Sequence, residues 1–132
     1  VGIVYGAWDD AGPVATFTLA PAPPRPYEDA RLWAEPDAPA RYLNRLAIDP
    51  ARQRAGLGRW CLARIDDLAR DAGARAVRCD VLLANAGVRA FYERFGYALR
   101  GERAHGGRRF ATYERVLGET PAAPGAGTIA GG

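Results

Sequence analysis

The segment from Tyr42 to Leu83 constrains the fold of this chain more than any other. An apolar run, YLNRLAI (Tyr42–Ile48), is stopped by Asp49–Pro50, and RQRAGLGRW (Arg52–Trp60) then brings two closely spaced glycines. From Gly56 to Ala72 the apolar residues Leu57, Cys61, Ile65, Leu68 and Ala72 recur at three and four, one face of a helix that ends at Asp71–Ala72–Gly73. A second apolar run, ARAVRCDVLL (Ala74–Leu83), places Val77, Cys79 and Val81 on one side of a strand. Strand, helix and strand in this order form a parallel pair with a right-handed crossover. The fold is built around that pair.

The flanking segments read as antiparallel. VGIVYGAWDD and GPVATFTLA are two strands joined by the turn Asp9–Gly12, with Val14, Thr16 and Thr18 on one face and Ala15, Phe17 and Leu19 on the other. The proline-rich APAPPRP is excluded from helix interiors and central strands, YEDARLW predicts a helical turn or two, and EPDAPA returns to loop. Asn85 caps a short helix whose Val88, Phe91, Tyr92 and Phe95 share a stripe, and Gly96 ends it. YALRGERA and RRFATYERVL are strands around the turn His105–Gly106–Gly107. The expected class is α/β, a mixed and mostly antiparallel sheet with a central parallel β-α-β pair. One domain is expected over residues 1–117, followed by a flexible, low-complexity tail over 118–132.

Composition narrows the function classes. A chain of 132 residues forms one domain with room for a core. No apolar run approaches the roughly 20 residues of a membrane helix, and no signal-peptide layout opens the chain. The 18 basic residues are all arginine and lie scattered, giving a net charge of +3 without the basic, aromatic-interleaved stripe of a nucleic-acid binder. Cys61 and Cys79 fall in apolar patterns with no CxxC pair and no companion histidines, so buried reduced thiols are expected, with no metal site and a cytoplasmic location.

Glycines at a strand-to-helix junction let backbone N–H groups approach an anion, and a helix start adds unpaired donors and a partial positive charge. The pattern points to a phosphate, with a tight turn that binds nothing as the alternative. A dinucleotide-binding turn wants a third glycine where Cys61 stands, and an acid where the next strand ends in Leu83–Ala84. A phosphate-binding P-loop needs a lysine, and the chain has none.

Gln53-x-x-Gly56-x-Gly58 resembles the Q/R-x-x-G-x-G/A acyl-CoA signature of the GNAT superfamily of N-acetyltransferases. YLNRLAIDP is similar to that family's central strand, and NAGVRAFYERFGYALRG to its second signature. The resemblance implies the acyl-CoA N-acyltransferase fold, N-terminally truncated, because in the family a strand and helices precede the first hairpin. It implies acetyl-CoA as cosubstrate and a primary amine, small molecule or peptide, as acceptor. Gln53 would bind the cofactor as the first residue of the signature, and backbone N–H groups from Arg54, Ala55, Gly56, Leu57, Gly58 and Arg59 would surround the pyrophosphate. Arg54 and Ala55 stand where the family often has glycine and a basic residue. Leu46, Ala47 and Ile48 would pair with the pantetheine arm as that strand splays from its neighbour. Asn85 would bond the same arm or simply cap its helix.

Tyr92 holds the family position of a general acid that protonates the leaving thiolate; a core tyrosine with its hydroxyl tied off is the alternative. No ready general base stands on the central strand, which offers Tyr42 and Asn44, so a water held by Asn44 or by a carbonyl is expected to serve. His105 is expected to be an exposed turn residue. Either the natural chain is longer or another copy covers the open sheet face as a homodimer. A non-catalytic acyl-CoA-binding or regulatory domain is the alternative function, and a structural module that binds no CoA is a third reading.

Overall fold

The structure, a computed structural model, describes residues 2–23, 30–51 and 56–118. Its elements follow in the expected order: β1 (Ile3–Asp9), β2 (Gly12–Ala20), a 3-10 turn (Ala30–Leu32), β3 (Ala40–Ile48), α1 (Leu57–Asp71), β4 (Ala76–Leu82), α2 (Ala86–Arg94), β5 (Ala98–His105) and β6 (Arg108–Val116). The six strands form one sheet in the order β1-β2-β3-β4-β6-β5. β3 and β4 are parallel and the other neighbours antiparallel, as a strand–helix–strand unit between hairpins dictates. Three expectations fall outside the described residues: the start of the helical turn in YEDARLW, the stretch Arg52–Ala55, and the tail beyond Gly118. No helix among the described residues is long and apolar enough to cross a membrane.

The face of α1 that is buried differs from the periodicity. Gly58, Cys61, Leu62, Ile65, Asp66 and Ala69 are buried, Leu57 and Leu68 lie half-buried at the flanks, and Ala72 is exposed. The helix is rotated so that Leu62 enters the core and Asp66 turns inward with it. Arg115 makes this tolerable, its Nε donating to Asp66 Oδ2 at 2.8 Å. A buried carboxylate needs such a partner, and hydropathy periodicity has no means of showing one that lies 49 residues away.

Both helices pack on one face of the sheet. Leu62, Ile65 and Ala69 of α1 and Tyr92 of α2 join Phe17, Leu19, Leu43, Val77, Cys79, Val81 and Tyr113 in a single core. α2 begins where Asn85 Oδ1 accepts from the Val88 N–H at 3.1 Å, and ends at Gly96, whose φ of 100° suits a residue without Cβ. At the free edge formed by β1, Ile3, Val4 and Trp8 are 61%, 72% and 70% exposed.

The opposite face carries charge. Cross-strand neighbours Tyr42, Arg78 and Glu114 lie in one row across β3, β4 and β6. Arg78 is 2% and Glu114 1% exposed. Arg78 Nε donates to Glu114 Oε2 at 3.1 Å, its Nη1 to the Tyr42 hydroxyl at 2.9 Å and its Nη2 to the Glu35 carbonyl at 3.2 Å. Glu114 Oε1 accepts from Arg100 Nε at 2.9 Å and from the Ala34 N–H at 3.0 Å, while the Trp33 ring covers the Arg78 guanidinium at 4.3 Å. Removing one partner of such a buried group strands the other's charge. Glu114→Ala is therefore expected to cost about 3–5 kcal/mol in urea unfolding. Glu102→Ala, which breaks the exposed Arg109–Glu102 pair, is expected to cost less than about 1 kcal/mol.

Candidate active site

The β3–β4 ladder is short. Ala40, Arg41 and Tyr42 pair with Ala76, Val77 and Arg78, and there the pairing ends although both strands continue. A bulge lies just beyond: Thr16 faces Ala47 while Thr18 faces Asn44, so β3 carries one more residue than β2 opposes. Arg45 sits in that insertion with φ 59°, the only described non-glycine residue in the left-handed region. A bulge bends and twists its strand, and here β3 turns away from β4. The parting forms a cleft of about 250 Å³ lined by Leu43 to Leu46 on one side and Cys79 to Leu82 on the other, with Asn85, Val88 and Tyr92 over it.

A second cavity, of about 410 Å³, adjoins the first and shares Leu46, Asn85, Val88 and Tyr92 with it. Its remaining walls are Ile48, Gly58, Gly87 and Phe91. It opens at the start of α1. The first helical bond there runs from the Trp60 N–H to the Gly56 carbonyl at 3.1 Å, so the N–H groups of Leu57, Gly58 and Arg59 precede the ladder. Gly56 enters the helix at φ 77°, a conformation that favours glycine. At Gly58 the requirement is steric: a Cβ would lie 2.8 Å from Cε1 of Phe91. The cavity, the N–H groups that find no acceptor among the described residues and the parted strand fit a long, amide-bearing ligand with a phosphate at one end.

The expected site residues divide accordingly. Leu46, Ile48, Gly58, Asn85 and Tyr92 share one cavity. Ala47 is exposed and pairs with Thr16, Gly56 and Leu57 form the helix entry, and the Arg59 guanidinium lies over the Phe95 ring at 5.8 Å. Gln53, Arg54 and Ala55 lie outside the described residues. Asn85 caps α2 through Oδ1, which leaves its amide group to the cavity. His105 is exposed at the end of β5. Tyr42 is held by Arg78, and Asn44 lines the cleft.

Tyr92 is buried, with its ring against Phe91, Tyr97 and Tyr113 at centroid distances of 5.4, 5.0 and 6.5 Å. Its hydroxyl has no hydrogen-bond partner among the described residues. Burial, with the nearby Cys79 thiol adding to it, raises its pKa far above that of a free phenol, so the group keeps its proton. Tyr113 holds the helix that carries it: its hydroxyl donates to Glu93 Oε2 and accepts from Arg89 Nε at 3.0 Å, and these two residues bracket Tyr92 on α2. Cys79 also lines the cleft, but burial raises its thiol well above the usual range and keeps it un-ionised, which removes it as a nucleophile.

Sequence reasoning missed Asp80. It lies on the face of β4 opposite Cys79 and Val81 and lines the cleft. Its Oδ1 accepts from Thr112 Oγ1 at 2.7 Å and its Oδ2 from Arg103 Nη2 at 2.6 Å. The available signal was alternation: a carboxylate on the outward face of the strand next to the central one. Val88 was missed as well. Its spacing puts it on the core stripe, but it is 37% exposed and lines both cavities. The short α2 turns only Tyr92 fully inward.

Residues 2–97 match the model of the acetyltransferase (GNAT) family, and the chain belongs to that family. No curated protein matches it. Among solved structures it is similar to a protein from Desulfovibrio desulfuricans described as a GNAT-family acetyltransferase, at 22% identity and TM-score 0.68 over 87% of this chain and 69% of that one. The Escherichia coli ribosomal-protein-S18-alanine N-acetyltransferase is 19% identical, with TM-score 0.66 over 92% and 72%. A Salmonella typhimurium protein described as an acetyltransferase, solved with its cofactor acetyl-CoA, is 19% identical, with TM-score 0.65 over 93% and 68%. At these identities the likeness is one of fold.

The buried phenols lead to a measurable pH dependence. Burial raises Tyr92 and Tyr97 above the ordinary value near 10. The folded chain therefore holds more protons than the unfolded one at high pH, and stability falls as pH climbs past about 10. In a tyrosinate absorbance titration, part of the six-tyrosine signal is expected to stay silent near pH 10 in the native protein and to appear on unfolding in guanidinium.

Proposed function

We propose that the chain is an N-acetyltransferase that moves an acetyl group from acetyl-CoA to a primary amine by direct attack. One observation carries this reading: the cavity that starts at the first N–H groups of α1 runs past Leu46 and meets, at the parting of β3 and β4, a protonated tyrosine. The names of two similar structures, one holding acetyl-CoA and one acting on an alanine of a ribosomal protein, are in keeping with it.

The residues divide the work. The N–H groups at Leu57, Gly58 and Arg59 would take the pyrophosphate, where the helix dipole favours negative charge. The β3 backbone from Leu46 to Ile48, with the Asn85 amide, would bond the pantetheine arm. Transfer requires the amine nitrogen to attack the thioester carbonyl, the C–S bond to break, and the thiolate to be protonated. Tyr92 supplies that last proton and is restored by the proton that the attacking nitrogen sheds as the amide forms. The acceptor arrives as an ammonium and must first lose a proton to water. Asn44 and Asp80, which line opposite walls of the cleft, would hold such a water, and the Asp80 carboxylate would stabilise the departing positive charge. The buried thiols Cys61 and Cys79 suit a reducing, cytoplasmic setting.

Isothermal titration of acetyl-CoA, with dephospho-CoA and ATP as controls, is expected to show binding that depends on the pantetheine arm. Tyr92→Phe is expected to lower kcat by about 100-fold in a thiol-release assay while acetyl-CoA affinity stays nearly unchanged. Undiminished turnover would remove Tyr92 as the acid. Binding without release of thiol from any amine would make the chain an acyl-CoA-binding domain.

A further inference from the structure

The cleft between β3 and β4 is charged in a way that acetyl transfer does not by itself require. On the β3 wall, the bulge places Arg45 at the cleft with a backbone φ of 59°. A long side chain in the left-handed region is uncommon and costs energy, and such outliers concentrate where function holds them. Arg45 is exposed, and its guanidinium makes no ion pair with any described residue. On the β4 wall stands Asp80, its carboxylate fixed by Thr112 at 2.7 Å and by Arg103 at 2.6 Å. Asn44, beside Arg45, supplies a neutral amide on the same wall. One small cleft is thus lined by a fixed carboxylate-bearing residue, Asp80, on one side and by Arg45 on the other.

We infer that the acceptor is a zwitterion of the α-amino-acid kind, its ammonium directed to Asp80 and its carboxylate to Arg45. This rests on the acetyltransferase reading of the same cleft and names the substrate class within it. The alternatives match less well. A polyamine would bring a second positive charge against Arg45. A peptide N-terminus would offer a neutral carbonyl where a guanidinium can take a carboxylate by two parallel hydrogen bonds. A plain amine would leave Arg45 without a counter-charge. Only an acceptor with both charges close together uses both walls of a cleft of about 250 Å³.

The test uses the whole chain with acetyl-CoA and reads thiol release. The twenty common amino acids are screened as acceptors, and the best of them is compared with its carboxamide and with its decarboxylated amine at equal concentrations of free amine. The amino acid is expected to exceed both in kcat/KM by about 100-fold or more, the scale set by leaving a site's charged partner unmatched. Arg45→Gln is expected to collapse that ratio towards one, and Arg45→Lys to restore part of it. Because Arg45 is exposed at a bulge, folding of both variants is checked by their affinity for acetyl-CoA. Equal rates for the acid, amide and amine overturn the inference, as does turnover confined to peptides, polyamines or plain amines. Failure of acetyl-CoA itself to bind, read separately by titration, overturns the acetyltransferase reading and the inference with it.

Discussion

The guanidinium of Arg78 is withdrawn from water at the last rung of the β3–β4 ladder, where Glu114, Tyr42, the Glu35 carbonyl and the Trp33 ring together replace its hydration. A buried charge tolerates little displacement, because each lost partner exposes it to a low-dielectric surround. The network therefore pins β3, β4 and β6 at one level of the sheet and draws the loop around Trp33 onto the outer face. Immediately beyond that level the bulge at Arg45 turns β3 away. A rigid closure followed at once by a forced divergence makes an opening with a defined apex. Both cavities of the site depend on where that apex falls.

The walls of the opening are shared between function and packing. Gly58 leaves room at the start of α1, and the same absence of a side chain lets the Phe91 ring approach the helix. Asn85 caps α2 with one end of its amide and faces the cavity with the other. Tyr92 stands among aromatic rings that raise its pKa by excluding water, so the burial that makes it part of the core also keeps its hydroxyl protonated. For Tyr92, a place in the core is compatible with the acid role proposed for it. Tyr113, through Arg89 and Glu93, holds α2 in the position that keeps this ring at the cleft.

Charge on the two sheet faces follows the same economy. The helix-covered face is apolar, as Val77, Cys79 and Val81 of β4 require, while Arg78 and Asp80 alternate onto the other face. Arg78 was placed there to be buried and Asp80 to be reached, although both occupy equivalent positions on one strand. The difference is made by what lies above them: the Trp33 loop over Arg78, and the open parting beside Asp80.

The element order, the parallel β3–β4 pair, the capping of α2 by Asn85 and the glycine entry to α1 were all legible in the chain, because each depends on a local pattern of two to four residues. Leu46, Ile48, Gly58, Asn85 and Tyr92, which short motifs single out as candidates, come together in the lining of one cavity. Contacts between distant segments decided the rest. Arg115, 49 residues from Asp66, set the rotation of α1; Thr112 and Arg103 fixed Asp80; and the register of β2 against β3 put the extra residue at Arg45. Hydropathy and spacing report which face a side chain prefers within its own helix or strand. Which charges meet across a cleft is settled only when the strands are brought side by side, and the point where β3 and β4 part is a property of the sheet.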